Sequence, residues 1–239
     1  RNREGIVQRS VRSNLRRGLR GALVLLAASA AIAEAATLTD HFLAYGTRRA
    51  PGGASPGGVV SLVDALESGD FEVRRLLPAA RQRSVGPFVF WDHFGPVTLP
   101  AGSNMDVRPH PHIGLATVTY LFEGGFLHRD SLGTVQAIAP GAINWMVAGH
   151  GITHSERIDD ETQTDPMPFF GIQTWVALPK DHEDRAADFQ HAPKDALPFM
   201  EGEGKQVRLI LGNAYGERAP VETASEMFYA DAALESGAK

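Results

Sequence analysis

An all-β domain is the architecture this sequence predicts, and three observations carry the prediction. From residue 71 onward, runs rich in Val, Ile, Thr, Phe, Tyr and Trp recur at the roughly 8–12-residue spacing of a sandwich or barrel. Turn signals separate them, within a chain holding 25 Gly and 15 Pro in 239 residues. No segment in this region keeps a helical period for three turns.

Taken in order, Phe71–Leu76 alternates as a strand, and Pro87–Trp91 reads as a buried apolar strand ended by Asp92-His93-Phe94-Gly95-Pro96. Leu115–Phe122 (LATVTYLF) is dense in β-branched and aromatic residues, and Glu123-Gly124-Gly125 turns it into a hairpin. Further strands are expected at Phe126–Arg129, Val135–Ile138, Ile143–Val147, Ile152–Arg157, Phe170–Leu178 and Val207–Leu211. The turns between them are Ser131-Leu132-Gly133, Pro140-Gly141 and Gly149-His150-Gly151.

The first 58 residues read differently. Seven Arg and one Glu in the first twenty give about +6, which leaves about −11 on the rest of a chain of net charge −5. An acidic body argues against nucleic-acid binding through the folded core. Residues 16–35 carry Arg16-Arg17, an apolar run from Gly21 to Ala33 and small-residue sites such as Ala33-Glu34-Ala35, the pattern of a signal peptide. That run is too short for a transmembrane helix. Cytoplasmic residence is the expectation, with export to the periplasm as the alternative. Residues 47–58 are a Gly/Pro/Ala linker. Residues 1–58 are therefore expected to form a partly disordered or helical extension. Gly53-Ala54-Ser55-Pro56-Gly57 matches G-x-S-x-G in form only, because the strand and helix that a nucleophile elbow needs are missing around it. The absence of Cys excludes thiolate ligands, disulfides and cysteine nucleophiles.

Chemistry concentrates in two short motifs, His110-Pro111-His112 and His154-Ser155-Glu156. On a strand, residues i and i+2 share a face. Pro111 cannot donate a ladder hydrogen bond, which places its pair at a strand start or edge. The interval from His112 to His154 accommodates about four short strands, enough to bring the chain back beside itself. Three imidazoles and a carboxylate suit Fe(II), Mn(II), Ni(II), Cu(II) or Zn(II). On an octahedral ion four protein ligands leave two positions open, whereas tetrahedral Zn would be saturated. Glu156 is expected as a direct ligand or as the base for a bound substrate's proton. His93, His128 and His150 are expected in loops, at the surface or as support for the ligands. Arg129-Asp130 reads as a local ion pair or turn contact, and Trp91, Trp145 and Trp175 as core or cavity wall.

Several of these segments together resemble one family. They are Val85-Gly86-Pro87-Phe88, Asp92-His93-Phe94-Gly95-Pro96, Arg108-Pro109-His110-Pro111-His112-Ile113-Gly114, His128-Arg129-Asp130-Ser131-Leu132-Gly133, Asn144-Trp145-Met146, Gly151-Ile152-Thr153-His154-Ser155-Glu156-Arg157 and Gly171-Ile172-Gln173-Thr174-Trp175. Across residues 70–235 the chain is similar to the pirin family of the cupin superfamily. The resemblance implies a cupin, jelly-roll-like β-barrel with one metal, foremost Fe(II), on His110, His112, His154 and Glu156. It also implies a quercetin 2,3-dioxygenase-type activity on flavonol-like aromatics with O2. The alternative is a non-catalytic, metal-dependent regulatory or redox-sensing protein that acts through protein partners, as eukaryotic relatives resemble nuclear transcription cofactors. Two departures stand out: bacterial relatives usually have Arg where His150 stands, and pirins have two barrels. Residues 70–200 are accordingly expected as the first cupin domain and 205–239 as the start of a truncated second one, with Met227–Ala230 an early strand.

Overall fold

In the computed structural model, the described residues are 73–80, 82–103, 105–158, 163–235 and 238, together with the strands at 21–28, 43–46 and 59–60. Seventeen strands occur among them: β1 Gly21–Ala28, β2 Leu43–Gly46, β3 Val59–Val60, β4 Val73–Leu77, β5 Phe88–Leu99, β6 Asp106–His112, β7 Leu115–Glu123, β8 Phe126–Asp130, β9 Val135–Ile138, β10 Ile143–Val147, β11 Ile152–Arg157, β12 Met167–Ala177, β13 Asp188–Ala192, β14 Phe199–Gly202, β15 Lys205–Ala214, β16 Glu217–Arg218 and β17 Met227–Leu234. Helical structure among the described residues is confined to a 3-10 turn at Lys194–Ala196, and no helix there is long and apolar enough to cross a membrane.

Two sheets enclose the barrel. One has the order β13-β10-β7-β12-β5-β4-β3, and the other β6-β11-β8-β9. Their facing surfaces share a core in which Val73, Phe94, Leu121 and Phe169 of the first sheet meet Phe126 and Ile138 of the second. The outer face of the larger sheet is also covered. Ala116, Val118 and Tyr120 of β7 join Ile172 and Val176 of β12 in a second core with Ile210, Leu211, Met227 and Tyr229. These last residues belong to a third sheet, β14-β15-β17-β1-β2, with β16 attached to β15. Burial on both faces explains why β7 reads as an unbroken apolar run. Period-two alternation then sends Ala116, Val118 and Tyr120 outward and Thr117, Thr119 and Leu121 toward the barrel. Polar groups at the sheet-to-sheet contact are paired: Tyr120 donates to Asp231 Oδ2 at 3.0 Å, and Thr174 Oγ1 lies 3.3 Å from the Tyr229 hydroxyl.

Two expectations need correction. Asp92 to Pro96 does not end the strand, since β5 runs on to Leu99. Pairing of β12 with β5 jumps from Phe169↔Val97 to Gly171↔Phe94, so Gly95 and Pro96 sit in an irregularity of the ladder, where a missing N–H costs no bond. Within the N-terminal extension, Gly21–Ala28 is neither disordered nor helical. It forms β1, paired antiparallel along its whole length with β17. A short apolar run fits strand and helix alike, and the open side of β17 decides between them. The rest of the signal-like segment, the 47–58 linker and the G-x-S-x-G match lie outside the described residues.

Candidate metal centre

The two motifs lie on adjacent strands. β6 and β11 pair antiparallel with His110 directly opposite His154 and His112 opposite Ile152. Four strands, β7 to β10, occupy the interval between the motifs. On its other side β11 pairs with β8, which places His128 opposite Glu156 and Asp130 opposite His154. The turn feeding β11 depends on Gly149. At φ 51° it occupies the left-handed region, and a Cβ there would lie 2.0 Å from the Arg185 carbonyl oxygen. That carbonyl receives the His150 backbone N–H at 3.0 Å, while Gly114 N–H donates to the Gly149 carbonyl at 2.8 Å and ties the turn to the end of β6.

His112, His154 and Glu156 are buried, and His110 is partly exposed. Ligand nitrogens of His110, His112 and His154 all lie within 4.8 Å of one another. Glu156 belongs to a second group of the same span, with His128 and His154, so His154 is the member common to both. His112 Nε2 and His154 Nε2 are 3.1 Å apart. Two nitrogens each about 2.1 Å from one ion, at the right angle of an octahedron, would be about 3.0 Å apart. The separation matches neighbouring positions on one octahedral cation, and without the cation it is that of a hydrogen bond between the two rings. His110 Nδ1 donates to the Arg108 carbonyl oxygen at 2.9 Å, which leaves Nε2 as the electron-pair donor.

Burial sets the electrostatics. Loss of solvent pushes His112 down to about 4, aided by His110, and pushes His154 down to about 2, aided by His110, His112 and His128. Both rings are therefore neutral near pH 7, the state a metal ligand must have. The same loss of solvent pushes the Glu156 carboxyl up to about 7, opposed by a hydrogen bond from Thr119. The Thr119 hydroxyl lies 3.2 Å from Glu156 Oε1 and 2.8 Å from Gln173 Oε1, so two acceptors share one proton. A cation beside Glu156 would restore the charged form. The donor set of neutral imidazoles and one costly carboxylate fits a divalent transition metal.

Three of the four donors stand at the wall of a cavity of about 540 Å3, within the usual range for small-molecule sites. Its lining includes His110, His112 and Glu156 together with Phe90, Phe94, Phe169 and Trp175. Trp175 meets His112 edge to face with centroids 5.3 Å apart, and Phe90 stacks on Trp175 at 4.0 Å. Arg75 lies over the other side of Phe90, 4.4 Å from its centroid, and makes a bidentate pair with Asp92 through two 2.8 Å bonds.

Other residues fall as follows. Trp91 and Trp145 are core, and Trp175 is cavity wall. His150 is exposed and bonds the Arg185 carbonyl through Nδ1 at 3.0 Å. His93 is neither a loop nor a surface residue. It is buried in β5 edge-on to Phe170, and burial lowers it to about 4, with Arg74 adding to the effect. Of the two contacts expected for Arg129-Asp130 the structure has the turn contact, since Asp130 Oδ1 accepts the backbone N–H groups of Leu132 and Thr134, and Asp130 Oδ2 also pairs with His128, at 3.0 Å from Nε2. The available signal was the spacing of His128-Arg129-Asp130, which repeats the one-residue interval of the two ligand motifs.

The fold and this cluster define a cupin-type β-barrel with a histidine- and carboxylate-lined cavity. The family model described as Pirin matches residues 70–176. Through that domain the chain belongs to the pirin family. It is 48% identical over 172 residues to a pirin-like protein of Caulobacter vibrioides, covering 71% of this chain and 59% of that protein. Human pirin is 33% identical, with 70% of this chain and 54% of that one covered. A crystal structure of quercetin 2,3-dioxygenase from Acinetobacter baumannii superposes with a TM-score of 0.62 at 38% identity, over 69% of this chain and 52% of that one. The chain thus spans between half and three-fifths of the length of these relatives.

Proposed function

We propose that this chain is a metal-binding pirin that acts as a quercetin 2,3-dioxygenase-type oxygenase on flavonol-like aromatics. The observation that carries the reading is the cluster of His110, His112 and His154 ligand nitrogens, with His110, His112 and Glu156 lining an aromatic-walled cavity. The relative from Acinetobacter baumannii that bears the quercetin 2,3-dioxygenase name supports it.

In this reading the three histidines and Glu156 hold one divalent metal, with Fe(II) foremost and Mn, Ni, Cu or Zn admitted by the same donors. The bound metal supplies Lewis acidity and a place where a substrate oxygen and O2 are held close together. The chain's own residues do the rest. Trp175, backed by Phe90, lines the cavity together with Phe94 and Phe169, which supply apolar wall for a planar ring. Glu156 receives the substrate hydroxyl proton at Oε2, because Thr119 lies at Oε1. The cation beside it would keep Glu156 in the anionic form that can accept this proton. Residues 70–200 are read as the first cupin domain and 205–239 as the opening strands of a second, with 1–58 as an extension.

Oxygen uptake by the Fe(II)-loaded chain with quercetin tests the activity. Wild type is expected to consume O2, and His112→Ala to lose both metal and uptake. A folded, metal-loaded chain that consumes no O2 with flavonols refutes the oxygenase reading.

A further inference from the structure

The buried pair His128 and Asp130 lies behind His154, away from the other ligand nitrogens. Asp130 is held rigidly. Its Oδ1 accepts the backbone N–H groups of Leu132 at 2.9 Å and Thr134 at 3.0 Å, and its Oδ2 lies 3.0 Å from His128 Nε2. The side chains of His128 and Asp130 are 3% and 0% exposed. His128 stacks on Phe189 with centroids 4.6 Å apart, so its ring plane is held as well. Its remaining nitrogen, Nδ1, stands 3.3 Å from Nδ1 of His154.

Hydrogen-bond chemistry assigns a direction to this chain of contacts. An ionised carboxylate can only accept, so His128 Nε2 carries a proton and donates it. The 3.3 Å contact between the two Nδ1 atoms holds one proton, and a neutral His128 ring with Nε2–H has a bare Nδ1 to accept it. His154 must then carry its proton on Nδ1 and donate it to His128. That leaves the lone pair of His154 on Nε2, the nitrogen 3.1 Å from His112 Nε2.

We propose that Asp130 and His128 are positioning residues, a hydrogen-bond ladder that fixes the tautomer and ring orientation of His154 so that Nε2 presents its lone pair to the cation site. The inference rests on the metal-binding reading above for its purpose, but not for its geometry. It also explains why His128, though grouped with His154 and Glu156, is not itself a ligand: both of its nitrogens are engaged elsewhere.

Asp130→Asn is the discriminating variant. The carboxamide oxygen can still accept from Leu132 and Thr134, but the amide now donates to His128 Nε2. The ladder then reverses, His154 is protonated at Nε2, and the lone pair faces away from the cation site. The first measurement is long-range 1H–15N NMR on the metal-free, histidine-labelled chain at neutral pH. Wild-type His154 is expected to show a protonated Nδ1 and a bare Nε2, and Asp130→Asn the opposite assignment. The second is Co(II) affinity by competition with a chelator, expected to fall about 10–100-fold in Asp130→Asn and in His128→Phe. A wild-type His154 protonated at Nε2 overturns the proposal, and that measurement needs no variant to fold. An unchanged tautomer and unchanged Co(II) affinity in a folded Asp130→Asn overturn it equally. If the wild-type tautomer is as expected and reverses in the variant while Co(II) binds neither protein, the ladder stands and the metal-binding reading fails.

Discussion

Replacing Glu156 by Gln isolates the cost of a buried carboxylate. The Glu156 residue is 8% exposed, and its carboxyl titrates near 7 instead of its ordinary 4.5 because burial disfavours the anion. At about 1.4 kcal/mol per pH unit, that displacement corresponds to roughly 3 kcal/mol. The sign follows from linkage. Below pH 4.5 the group is protonated in folded and unfolded chains alike and costs nothing. Between 4.5 and 7 the unfolded chain releases the proton while the folded chain keeps it, so stability falls as pH rises. Above 7 the full cost of about 3 kcal/mol is present. Glutamine is neutral throughout and preserves the shape. Urea unfolding of metal-free protein, in chelator at pH 5 and pH 8, is expected to show wild type losing about 2–3 kcal/mol more than Glu156→Gln between the two pH values. Taking the difference between the proteins cancels the histidine contributions common to both. With metal present the ranking should invert, because the cation restores the charged carboxylate and stabilises wild type by mass action. Identical pH dependence of the two metal-free proteins would refute the account of Glu156 as an uncompensated buried acid.

Elemental analysis after purification should find near-complete metal loss in His110→Ala and weakened occupancy in Glu156→Ala; unchanged metal in both would mean that the donors are misassigned. His93, lowered to about 4 against an ordinary 6.5, should contribute about 3 kcal/mol that is present above pH 6.5 and lost as pH falls toward 4. His93→Phe should therefore flatten the acid limb of a melting-temperature profile over that window. Gly149→Ala forces a Cβ to 2.0 Å from the Arg185 carbonyl at a positive φ, and should lower stability by roughly 2 kcal/mol or more in denaturant titration. Trp175→Ala should weaken quercetin binding, read as quenching or displacement, while leaving metal content near that of wild type.

Local patterning carried much of this structure. The turn signals and β-branched runs from Leu115 to Arg157 correspond closely to β7 through β11, because each strand there is bounded by residues that favour turns. His110-Pro111-His112 and His154-Ser155-Glu156 announced themselves for the same reason: period-two geometry needs only the sequence to say that the members of each pair share a face. Other features were not legible. β13 and β14 have weak local signatures and are held in place by the neighbours they pair with. The strand at Gly21–Ala28 and the run of β5 through Gly95-Pro96 are decided by what lies opposite them.

The sequence alone therefore determined an all-β fold and the two motifs, which follow from spacing and residue type, and its resemblance to one family implied the barrel. Only the tertiary structure decided that His110 faces His154 and that Glu156 lies beside Thr119. It alone set His128 and Asp130 behind a ligand. Register across a sheet is a relation between segments far apart in the chain, and solvent exclusion, which moves Glu156 and His154 so far from their ordinary values, exists only once those segments have closed around them.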